Sequence, residues 1–503
     1  MRRIAIAVSL IVCGCLPAPC LSAGTAESGV VGLVVTHQQW DPDRPWAKNN
    51  PDTRAPSGVV IEGPYILTTA WMVTDATFIQ VKKNGRITQA TARPFLIDHE
   101  INLALLEVDT PGFFTDLQLI ALADETPTRG VLRTERWQGR QFESVASRVK
   151  RFEVQGAYLS DLEHVFLLAQ TDMSGGGWAE PVFDDDGRLV GLTASQNDQQ
   201  ARIIPVEIIA KFLQRAIDPG PYRGFPGFGA YWQFNSNPDL AAYLRQSGKP
   251  RGVLIRQVAW GGSACGVLRP RDILLSVDGR TIDAEGFYSH PRLGQVKFTH
   301  LLTDEHDVGD TVPIRVLREG RELDLKMTLR PYPDSLTLIP KRHEDAPPSY
   351  VVAGGLVLRE LDFDYLRSWG NDWAKLAPLH LKTLYYQQRE AQRPDRRRIV
   401  LLTSILPAPY NVGYEGLSDV VVESINGRPI DSIPDVVDAF DEPAGGFHTV
   451  VLAPSSSRRE IVLDASRFAG ATAEILAHYS IPEAARMPSM ALPEGDADCP
   501  GDF

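Results

Sequence analysis

Residues 272–282 read DILLSVDGRTI, and residues 419–430 read DVVVESINGRPI. Each stretch is an apolar strand followed by an Asp-Gly or Asn-Gly pair and a returning apolar residue. Such a pair favours a type I′ hairpin turn, because both central residues of that turn need a positive φ. A single hairpin is weak evidence for any fold. Its recurrence in two segments with similar flanks indicates a duplicated module that mixes strands and helices.

The region before the first hairpin is rich in short apolar runs that Gly, Pro, Asp and Asn separate. Many short strands at this spacing favour a barrel or a sandwich. The predicted strands cover residues 29–37, 58–61, 65–69, 78–82, 103–108, 165–170 and 189–194. A helical pattern follows over residues 205–217, and its apolar face holds Ile208, Ile209, Phe212, Leu213 and Ile217.

Chain breakers divide the rest of the sequence. Asp-Pro-Gly-Pro at residues 218–221 ends the predicted helix. The two mixed segments, residues 222–332 and 349–468, flank a linker with five prolines at residues 331–348. The second segment includes a long insertion at residues 362–398, whose basic end we expect to be a solvated face. That end contains Arg393, Arg396, Arg397 and Arg398.

The first 23 residues have the features of an export signal. Arg2 and Arg3 precede a short apolar run over residues 4–15, and small residues precede a cleavage point after Ala23. The run is shorter than the ~20 apolar residues that span a bilayer, and we expect no transmembrane span. The interpretation is a signal peptide at residues 1–23 and export to the periplasm or the cell exterior. An imperfect lipobox leaves a lipid anchor on Cys15 as the alternative.

The composition excludes several function classes. The chain has 51 basic and 63 acidic residues and a net charge of −12. An acidic chain without a basic cluster is a poor ligand for nucleic acid, whose phosphates supply most of the affinity. No His, Cys and Asp cluster has metal-ligand spacing, so no metal or cofactor is expected. Cys265 and Cys499 lie outside the signal and could pair in an oxidising compartment. Since no sequence feature brings them together, we expect both to stay free.

Several motifs resemble those of the HtrA/Deg family of trypsin-like serine proteases. The hairpins are similar to the PDZ signature GDxIxxVNGxxI. Residues 65–73, YILTTAWMV, resemble xILTNAHxV, and residues 101–108, INLALLEV, resemble xDLALLxV. Residues 170–172 and 181–191, QTD and PVFDDDGRLVG, resemble QTDAAINxGNSGGPxxDxxGxVVGI. Residues 411–415 and 475–482 are similar to the plant-type Deg branch with two PDZ modules.

The resemblance implies a mainly β fold with a trypsin-like double β-barrel followed by two PDZ-like α+β domains. The expected boundaries are residues 28–217 for the barrels, 219–332 for the first PDZ domain, 349–468 for the second and 469–503 for the tail. The family also implies a homo-oligomer, with a trimer as the expected building unit.

The residues that such a protease needs are absent from the matching positions. Hydrolysis uses a Ser nucleophile, a His base and an Asp that orients the His. The chain has Trp71 in place of His, Asn102 in place of Asp and, counted back from Pro181, Trp178 in place of Ser. An indole ring has no basic lone pair, Asn102 carries no charge, and Trp178 has no nucleophile. We therefore expect a pseudoprotease, with both indole rings filling the cleft.

The oxyanion loop and the remaining polar residues give no obvious replacement. Ala179 and Glu180 replace the Gly pair of the motif, which frees the backbone for positive φ, so we expect a deformed loop. A shifted reading of SGG makes Ser174 a fallback nucleophile, but it leaves Pro181 out of register and supplies no base. The histidines of the region, His37, His99 and His164, do not match the position of the base, and His99 is expected to be solvated.

The family's peptide-binding chemistry is retained. A PDZ domain adds a peptide to a sheet edge and caps its carboxylate with backbone amides of a GΦGΦ loop. Gly227, Phe228, Gly229 and Ala230 resemble that loop, and residues 354–357 are the matching stretch of the second module. The expected partners are peptides or unfolded proteins with free C-termini. Two alternatives remain: an active endopeptidase with another nucleophile, and a regulatory subunit of an active Deg paralogue.

Overall fold

The computed structural model describes residues 26–157, 160–218, 220–331, 337–341, 345–391 and 398–488. The predicted signal peptide, Cys499 and three arginines of the insertion, Arg393, Arg396 and Arg397, lie outside the described residues. Strands far outnumber helices, so the prediction of a mainly β fold is confirmed. No helix among the described residues is long and apolar enough to cross a membrane.

The first barrel is a seven-stranded antiparallel sheet in the order β2-β1-β3-β4-β7-β6-β5, which closes because β1 also pairs with β5. Alternate side chains of β1 are buried, as expected for a strand with one face on the core. The strands are β1 (Val30–His37), β2 (Asp52–Arg54), β3 (Ser57–Ile61), β4 (Tyr65–Thr68), β5 (Ala76–Lys83), β6 (Arg86–Asp98) and β7 (Leu103–Val108).

The second barrel closes in the order β10-β13-β12-β11-β8-β9. Its strands are β8 (Val131–Gln138), β9 (Gln141–Gly156), β10 (Glu163–Thr171), β11 (Pro181–Phe183), β12 (Leu189–Asn197) and β13 (Gln200–Pro205). Helix α1 (Val206–Ile217) follows where the periodicity predicts it. Four of the five apolar residues that we assigned to its inner face are buried, but Ile217 is 60% exposed, because it lies at the last turn of the helix.

The first α+β unit is built on a sheet in the order β15-β16-β17-β21-β22, with β18 paired to β17. Asp278 and Gly279 both have positive φ, as the predicted hairpin turn requires. The elements are β14 (Pro226–Gly227), β15 (Ala230–Gln233), α2 (Pro238–Tyr243), β16 (Val253–Val258), β17 (Ile273–Val277), β18 (Arg280–Thr281), β19 (Phe287–His290), β20 (Gly294–Lys297), α3 (Thr299–Thr303), β21 (Thr311–Arg318), β22 (Arg321–Thr328) and β23 (Arg330–Pro331).

The second α+β unit has the sheet order β30-β29-β27-β26-β25-β24-β31, with β28 on β27. Asn426 and Gly427 repeat the positive φ pair. The described part of the insertion, residues 362–391 and 398, holds three of its helices. The elements are β24 (Tyr350–Ala353), β25 (Leu356–Glu360), α4 (Phe363–Leu366), α5 (Trp373–Leu376), α6 (Leu379–Ala391), β26 (Val400–Ile405), β27 (Val420–Ile425), β28 (Arg428–Pro429), α7 (Ile433–Phe440), β29 (Phe447–Leu452), β30 (Glu460–Asp464), α8 (Ala465–His478) and β31 (Ala485–Arg486).

Each α+β unit contacts the barrels. Helix α3 of the first unit contacts β10 of the second barrel. Asp304, which follows α3, accepts a hydrogen bond from the Val165 amide at 2.9 Å and lies 2.8 Å from Nδ1 of the buried His164. The second unit contacts the loop after β1, where Arg359 donates to the Pro42 carbonyl at 2.7 Å.

Two expectations about charged and reactive side chains are wrong. Arg398 is buried and donates to the Thr337 carbonyl at 2.9 Å, so this end of the basic run is not a solvated face. Cys265 is disulfide-bonded, contrary to the expectation of a free thiol. A disulfide closes a loop of the chain, a constraint that sequence spacing alone does not reveal.

Substitution of Arg359 tests the contact between the second unit and the first barrel. Its guanidinium is 2% exposed and forms an ion pair with the equally buried Asp362. Because Arg359→Met removes the cation that pairs with this buried carboxylate, we expect a loss of about 3–5 kcal/mol in the free energy of unfolding. Urea denaturation measures it. The control is Arg367→Met, whose ion pair with Asp364 is solvent-exposed and is worth at most about 1 kcal/mol. Equal losses in the two variants would contradict the prediction.

Candidate functional site

Trp71 and Asn102, two of the three positions singled out by the motifs, lie side by side. Trp71 is in a short helical turn after β4, and its backbone amide donates to Oδ1 of Asn102 at 2.8 Å. Asn102 precedes β7, is 4% exposed and has φ +58°, a backbone conformation that Asn tolerates better than most residues. The side-chain carboxamide of Asn102 therefore fixes the turn that carries Trp71. It orients no imidazole, because the position of the histidine is occupied by Trp71.

The Trp71 indole is covered by a cation. The Arg54 guanidinium lies 4.6 Å from the ring centroid, and Nη1 of Arg54 donates to the Trp71 carbonyl at 3.0 Å. A guanidinium stacked on an indole is a favourable contact. This side chain therefore has a structural partner, and it offers no group that accepts a proton.

A cavity of about 320 Å³ opens beside Trp71 and Asn102. Its other walls come from the loop after β1 and from residues 345–371 of the linker and the second α+β unit. Asp345 closes one side, since its carboxylate accepts from the Asp75 amide at 2.6 Å and lies 3.0 Å from Nε2 of His99. His99 is thus a docking contact with only 9% of its side chain exposed, and the expectation that it is solvated is wrong.

Trp178 lies in the loop between β10 and β11 and is separate from this cavity. Its side chain is 41% exposed and does not line the cavity beside Trp71. Its carbonyl accepts a hydrogen bond from the Ser57 amide at 2.9 Å, which attaches the loop to the first barrel. The structure therefore brings Trp71 and Asn102 together, and Trp178 lies outside the cavity that these two residues line.

The loop before β11 is closed around a buried carboxylate. Glu180 is 1% exposed, and its Oε2 accepts hydrogen bonds from the amides of Gly177 and Trp178, both at 2.9 Å. The Thr193 hydroxyl donates to the same oxygen, and Arg136 lies 3.6 Å from the other oxygen. Consecutive backbone amides that converge on one oxygen form an anion-binding nest. Here the anion that fills the nest is the protein's own side chain.

The backbone around this carboxylate is strained. Ala179 has φ +65° and is fully buried, a conformation that costs an L-residue roughly 1–2 kcal/mol. We expected that Ala179, which replaces a glycine of the motif, would lack the freedom to adopt a positive φ, but this residue adopts one. The Glu180 carboxylate compensates, because its bonds to the two preceding amides fix the turn.

Ser174, the fallback nucleophile, is exposed at the tip of this loop. Its carbonyl accepts from Arg136 Nη2 at 2.9 Å. Within the part of the chain that the structure describes, its hydroxyl makes no hydrogen bond with a histidine or with any other group. His37 and His164 are engaged elsewhere, with the Thr74 carbonyl at 2.6 Å and with Asp304. Burial lowers the pKa of His37, but no described base is poised to activate Ser174.

The predicted peptide loop, Gly227 to Ala230, connects β14 to β15. Gly229 has φ +66°, and a Cβ added there would lie 2.5 Å from Cα of Gly262, so only glycine fits this position. Among the described residues, the amides of Phe228 and Gly229 have no hydrogen-bond acceptor. Two amides of this kind at a left-handed turn can bind a carboxylate.

Aromatic side chains form an apolar floor beneath this loop, in which Phe228 and Phe298 are buried and Trp232 is half-buried. The Phe298 ring lies 5.3 Å from both the Phe228 and the Trp232 rings, in edge-to-face geometry. Phe298 immediately precedes α3, so the floor continues into the helix that contacts the second barrel. An apolar terminal side chain of a peptide is the chemistry that suits such a surface.

The matching stretch of the second unit has a different structure. Gly354 and Gly355 form the turn of a tight hairpin in which β24 pairs with β25, and β24 also packs against α7 and α8. The Gly354 amide donates to the Thr472 hydroxyl at 2.9 Å. The expectation of a second carboxylate loop at residues 354–357 is therefore wrong, because the edge of β25 is already covered by β24. Sequence reasoning also missed the roles of Asp345 and Arg136, which depend on distant segments.

Three comparisons give the chain's relatives. The PDZ domain family model matches residues 339–486. Protease Do-like 2, chloroplastic, from Arabidopsis thaliana is 24% identical over 421 residues, covering 82% of this chain and 68% of that protein. Protease Do-like 4, mitochondrial, from the same plant is 26% identical over 429 residues, covering 81% and 76%. A probable periplasmic serine endoprotease DegP-like of Hahella chejuensis is 24% identical over 308 residues, covering 58% and 60%.

Similar solved structures include the HtrA-type protease AlgW with a decapeptide. That chain is 20% identical, has a TM-score of 0.47, and is matched over 62% of this chain and 98% of its own length.

Among the described residues, no group of three or more His, Cys, Asp or Glu side chains could hold a metal ion.

Proposed function

We propose that the chain, a homologue of the Deg/HtrA proteases whose second α+β unit matches the PDZ domain family, is a pseudoprotease that binds peptides or unfolded proteins by their free C-termini. The first α+β unit is the binding module in this proposal. The double barrel serves as a scaffold, and the protein acts after export from the cytoplasm.

The buried carboxylate of Glu180 is the main support for the proposal that the protein has no protease activity. A serine protease stabilises the tetrahedral intermediate with backbone amides beside its nucleophile, and each such donor is worth ~3 kcal/mol. In this chain the matching amides are those of Gly176 and Trp178, and the Trp178 amide binds Glu180 together with the neighbouring amide of Gly177. A substrate oxyanion would have to displace a carboxylate that Arg136 and Thr193 also hold.

The residues at the three catalytic positions support the same conclusion. Trp71 supplies no base, Asn102 supplies no charge, and Trp178 supplies no nucleophile. The amide of Asn102 is already engaged with the Trp71 backbone. An active endopeptidase would need Ser174, whose hydroxyl contacts none of the described histidines. In the alternative of a regulatory subunit, the site is equally inactive, but the partner is an active Deg paralogue and not a peptide or an unfolded protein.

Peptide binding is supported by the loop from Gly227 to Ala230. The amides of Phe228 and Gly229 are available for a terminal carboxylate, and the half-buried Trp232 ring, which packs on the buried Phe298, offers apolar surface near them. In the second unit β24 covers the corresponding edge, so we assign that unit to packing against the first barrel.

Amidation of the peptide C-terminus tests the carboxylate contact. We expect an apolar peptide with a free C-terminus to bind at micromolar affinity, and its amidated form to bind at least tenfold more weakly, about 1.4 kcal/mol. The physical reason is the loss of the charge that the two loop amides bind. Isothermal titration of the reduced full-length protein measures both constants. Equal affinity for the two peptides would mean that residues 227–230 form only a turn.

A further inference from the structure

The cavity beside Trp71 lies where the first barrel, the linker and the second α+β unit meet. Its volume of about 320 Å³ falls at the lower end of the range of small-molecule sites, roughly 300–1,000 Å³. Trp40 and Trp71 supply indole surface to its wall, and most of the other lining residues are polar. Such a wall suits a small molecule with an apolar body and a polar head.

On the barrel side of the cavity, Asn102 has one polar atom that lacks a partner. Its Oδ1 accepts the Trp71 amide, so the other polar atom of the carboxamide, Nδ2, is a donor. Within the described part of the chain, no group accepts a hydrogen bond from Nδ2, although Asn102 is only 4% exposed and lines the cavity. Because a buried donor without an acceptor is unfavourable, an oxygen atom of a ligand is the group that fits beside it.

On the side of the second unit, Arg367 supplies a positive charge. The nearest described carboxylate, that of Asp364, lies 3.8 Å away, which is too far for a hydrogen bond. The Arg367 side chain is 36% exposed and lines the same cavity as Asn102. A planar guanidinium can bind a carboxylate through two parallel hydrogen bonds. The two donors that lack a close acceptor therefore match one carboxylate group.

Acidic side chains of the wall limit the charge of such a ligand. Asp41 accepts two backbone amides, at 2.9 and 3.1 Å, and pairs with Arg44 at 2.7 Å. Asp345 accepts the Asp75 amide at 2.6 Å. Asp75 and Asp364 also line the cavity, and their negative charge disfavours a second anionic group, since like charges repel. The wall therefore favours an acid with one carboxylate and an uncharged body.

We propose that this cavity binds a small apolar monocarboxylate. Its carboxylate accepts hydrogen bonds from Nδ2 of Asn102 and from the Arg367 guanidinium, and its body lies against the part of the Trp71 indole that Arg54 does not cover. The site uses the position that holds the orienting Asp in the family motif, and it is independent of the peptide loop at residues 227–230. Since its walls come from both bodies, the ligand holds the second α+β unit on the first barrel.

Phenylacetate is the probe for this site, because it joins one carboxylate to an aromatic ring. Phenylacetamide has nearly the same shape without the charge. Isothermal titration of the full-length protein should give a dissociation constant of about 1 mM or less for phenylacetate. Phenylacetamide should bind at least tenfold more weakly, because it cannot form the charged pair with Arg367.

Asn102→Asp is the sharpest variant. The new side chain still has an oxygen that accepts the Trp71 amide, but a carboxylate oxygen replaces the Nδ2 donor. Phenylacetate should therefore bind at least tenfold more weakly than to the wild type. Phenylacetamide should bind at least as well as before, since its own amide group can donate to the new carboxylate.

Arg367→Met tests the second contact, and Lys375→Met is its matched control. Lys375 belongs to the same unit and forms an exposed ion pair with Asp372 at 3.0 Å, but it does not line the cavity. We expect Arg367→Met to weaken phenylacetate binding at least tenfold and Lys375→Met to leave it unchanged. Thermal unfolding without ligand should show that both variants remain folded.

The outcomes also separate this site from the peptide loop. Gly229→Val should bind phenylacetate as the wild type does; a loss in this variant would place the probe at residues 227–230 and overturn the proposal. No detectable binding of phenylacetate, or equal affinity in Asn102→Asp, would also overturn it. Displacement of phenylacetate from Gly229→Val by a free-C-terminal peptide would mean that the cavity takes chain ends, which overturns the assignment to small acids. Phenylacetate binding that needs Asn102 and Arg367 supports the proposal even if no form of the protein binds peptide and the proposed function fails.

Discussion

Restoring the three catalytic residues is expected to leave the protein nearly inactive. The variant Trp71→His/Asn102→Asp/Trp178→Ser regains a base, an orienting carboxylate and a nucleophile, yet Glu180 still binds the amides of residues 177 and 178. Loss of one oxyanion donor costs about 10²–10³ in kcat. We therefore expect this triple variant to turn over at least about 100-fold more slowly than the same variant with Ala179→Gly and Glu180→Gly added.

The comparison requires two checks. Thermal unfolding of each variant must show that the barrels remain folded, because Glu180 is buried beside Arg136. The control is Ala179→Gly/Glu180→Gly without the other three changes, which should show no turnover. If the triple variant and the variant with all five substitutions cleave a fluorogenic peptide at equal rates, Glu180 does not block the oxyanion site.

Gly229→Val is expected to weaken peptide binding at least tenfold. A Cβ at this position would lie 2.5 Å from Cα of Gly262, and φ is +66°. A β-branched residue cannot adopt that backbone without strain, so the amides of residues 228 and 229 would turn away from the carboxylate.

Gly248→Val provides the matched control for this variant. Gly248 also has a positive φ, +80°, but no atom lies within 4 Å of the Cβ that would be added. The control should lose some stability and keep its peptide affinity, as measured by the same titration on the reduced protein. If both variants bind the free-C-terminal peptide as the wild type does, the loop is not the binding site.

Local chemistry made part of this fold predictable. The two hairpins follow from Asx-Gly pairs, which favour the positive φ that Asp278 and Asn426 adopt. Helix α1 follows from its apolar period, although Ile217 at its end is exposed. The proximity of Trp71 and Asn102 follows from the motifs, because strands β4 and β7 pair.

Contacts between distant segments could not be read from the sequence. His99 was expected to be solvated, yet Asp345 reaches it from the linker, 246 residues away. The role of Glu180 depends on Thr193 and Arg136 from neighbouring strands. Hydrophobic pattern and turn propensity contain no information about such partners, since each side chain satisfies the same local rules with or without them.

The same limit applies to the second α+β unit. Residues 354–357 satisfy the pattern of a peptide loop, but β24 pairs with β25 and occupies its edge. A strand of the chain and a strand of a ligand make the same backbone hydrogen bonds. The sequence therefore cannot distinguish an open edge from one that the protein has covered itself.

The most direct test of the central claim is a peptidase assay of the purified, unmodified protein on unfolded casein. The account predicts no hydrolysis above the buffer background, because no base or nucleophile lies at the three catalytic positions and Glu180 holds the loop amides. Turnover that persists through purification and disappears in Ser174→Ala would contradict it and would identify Ser174 as the nucleophile.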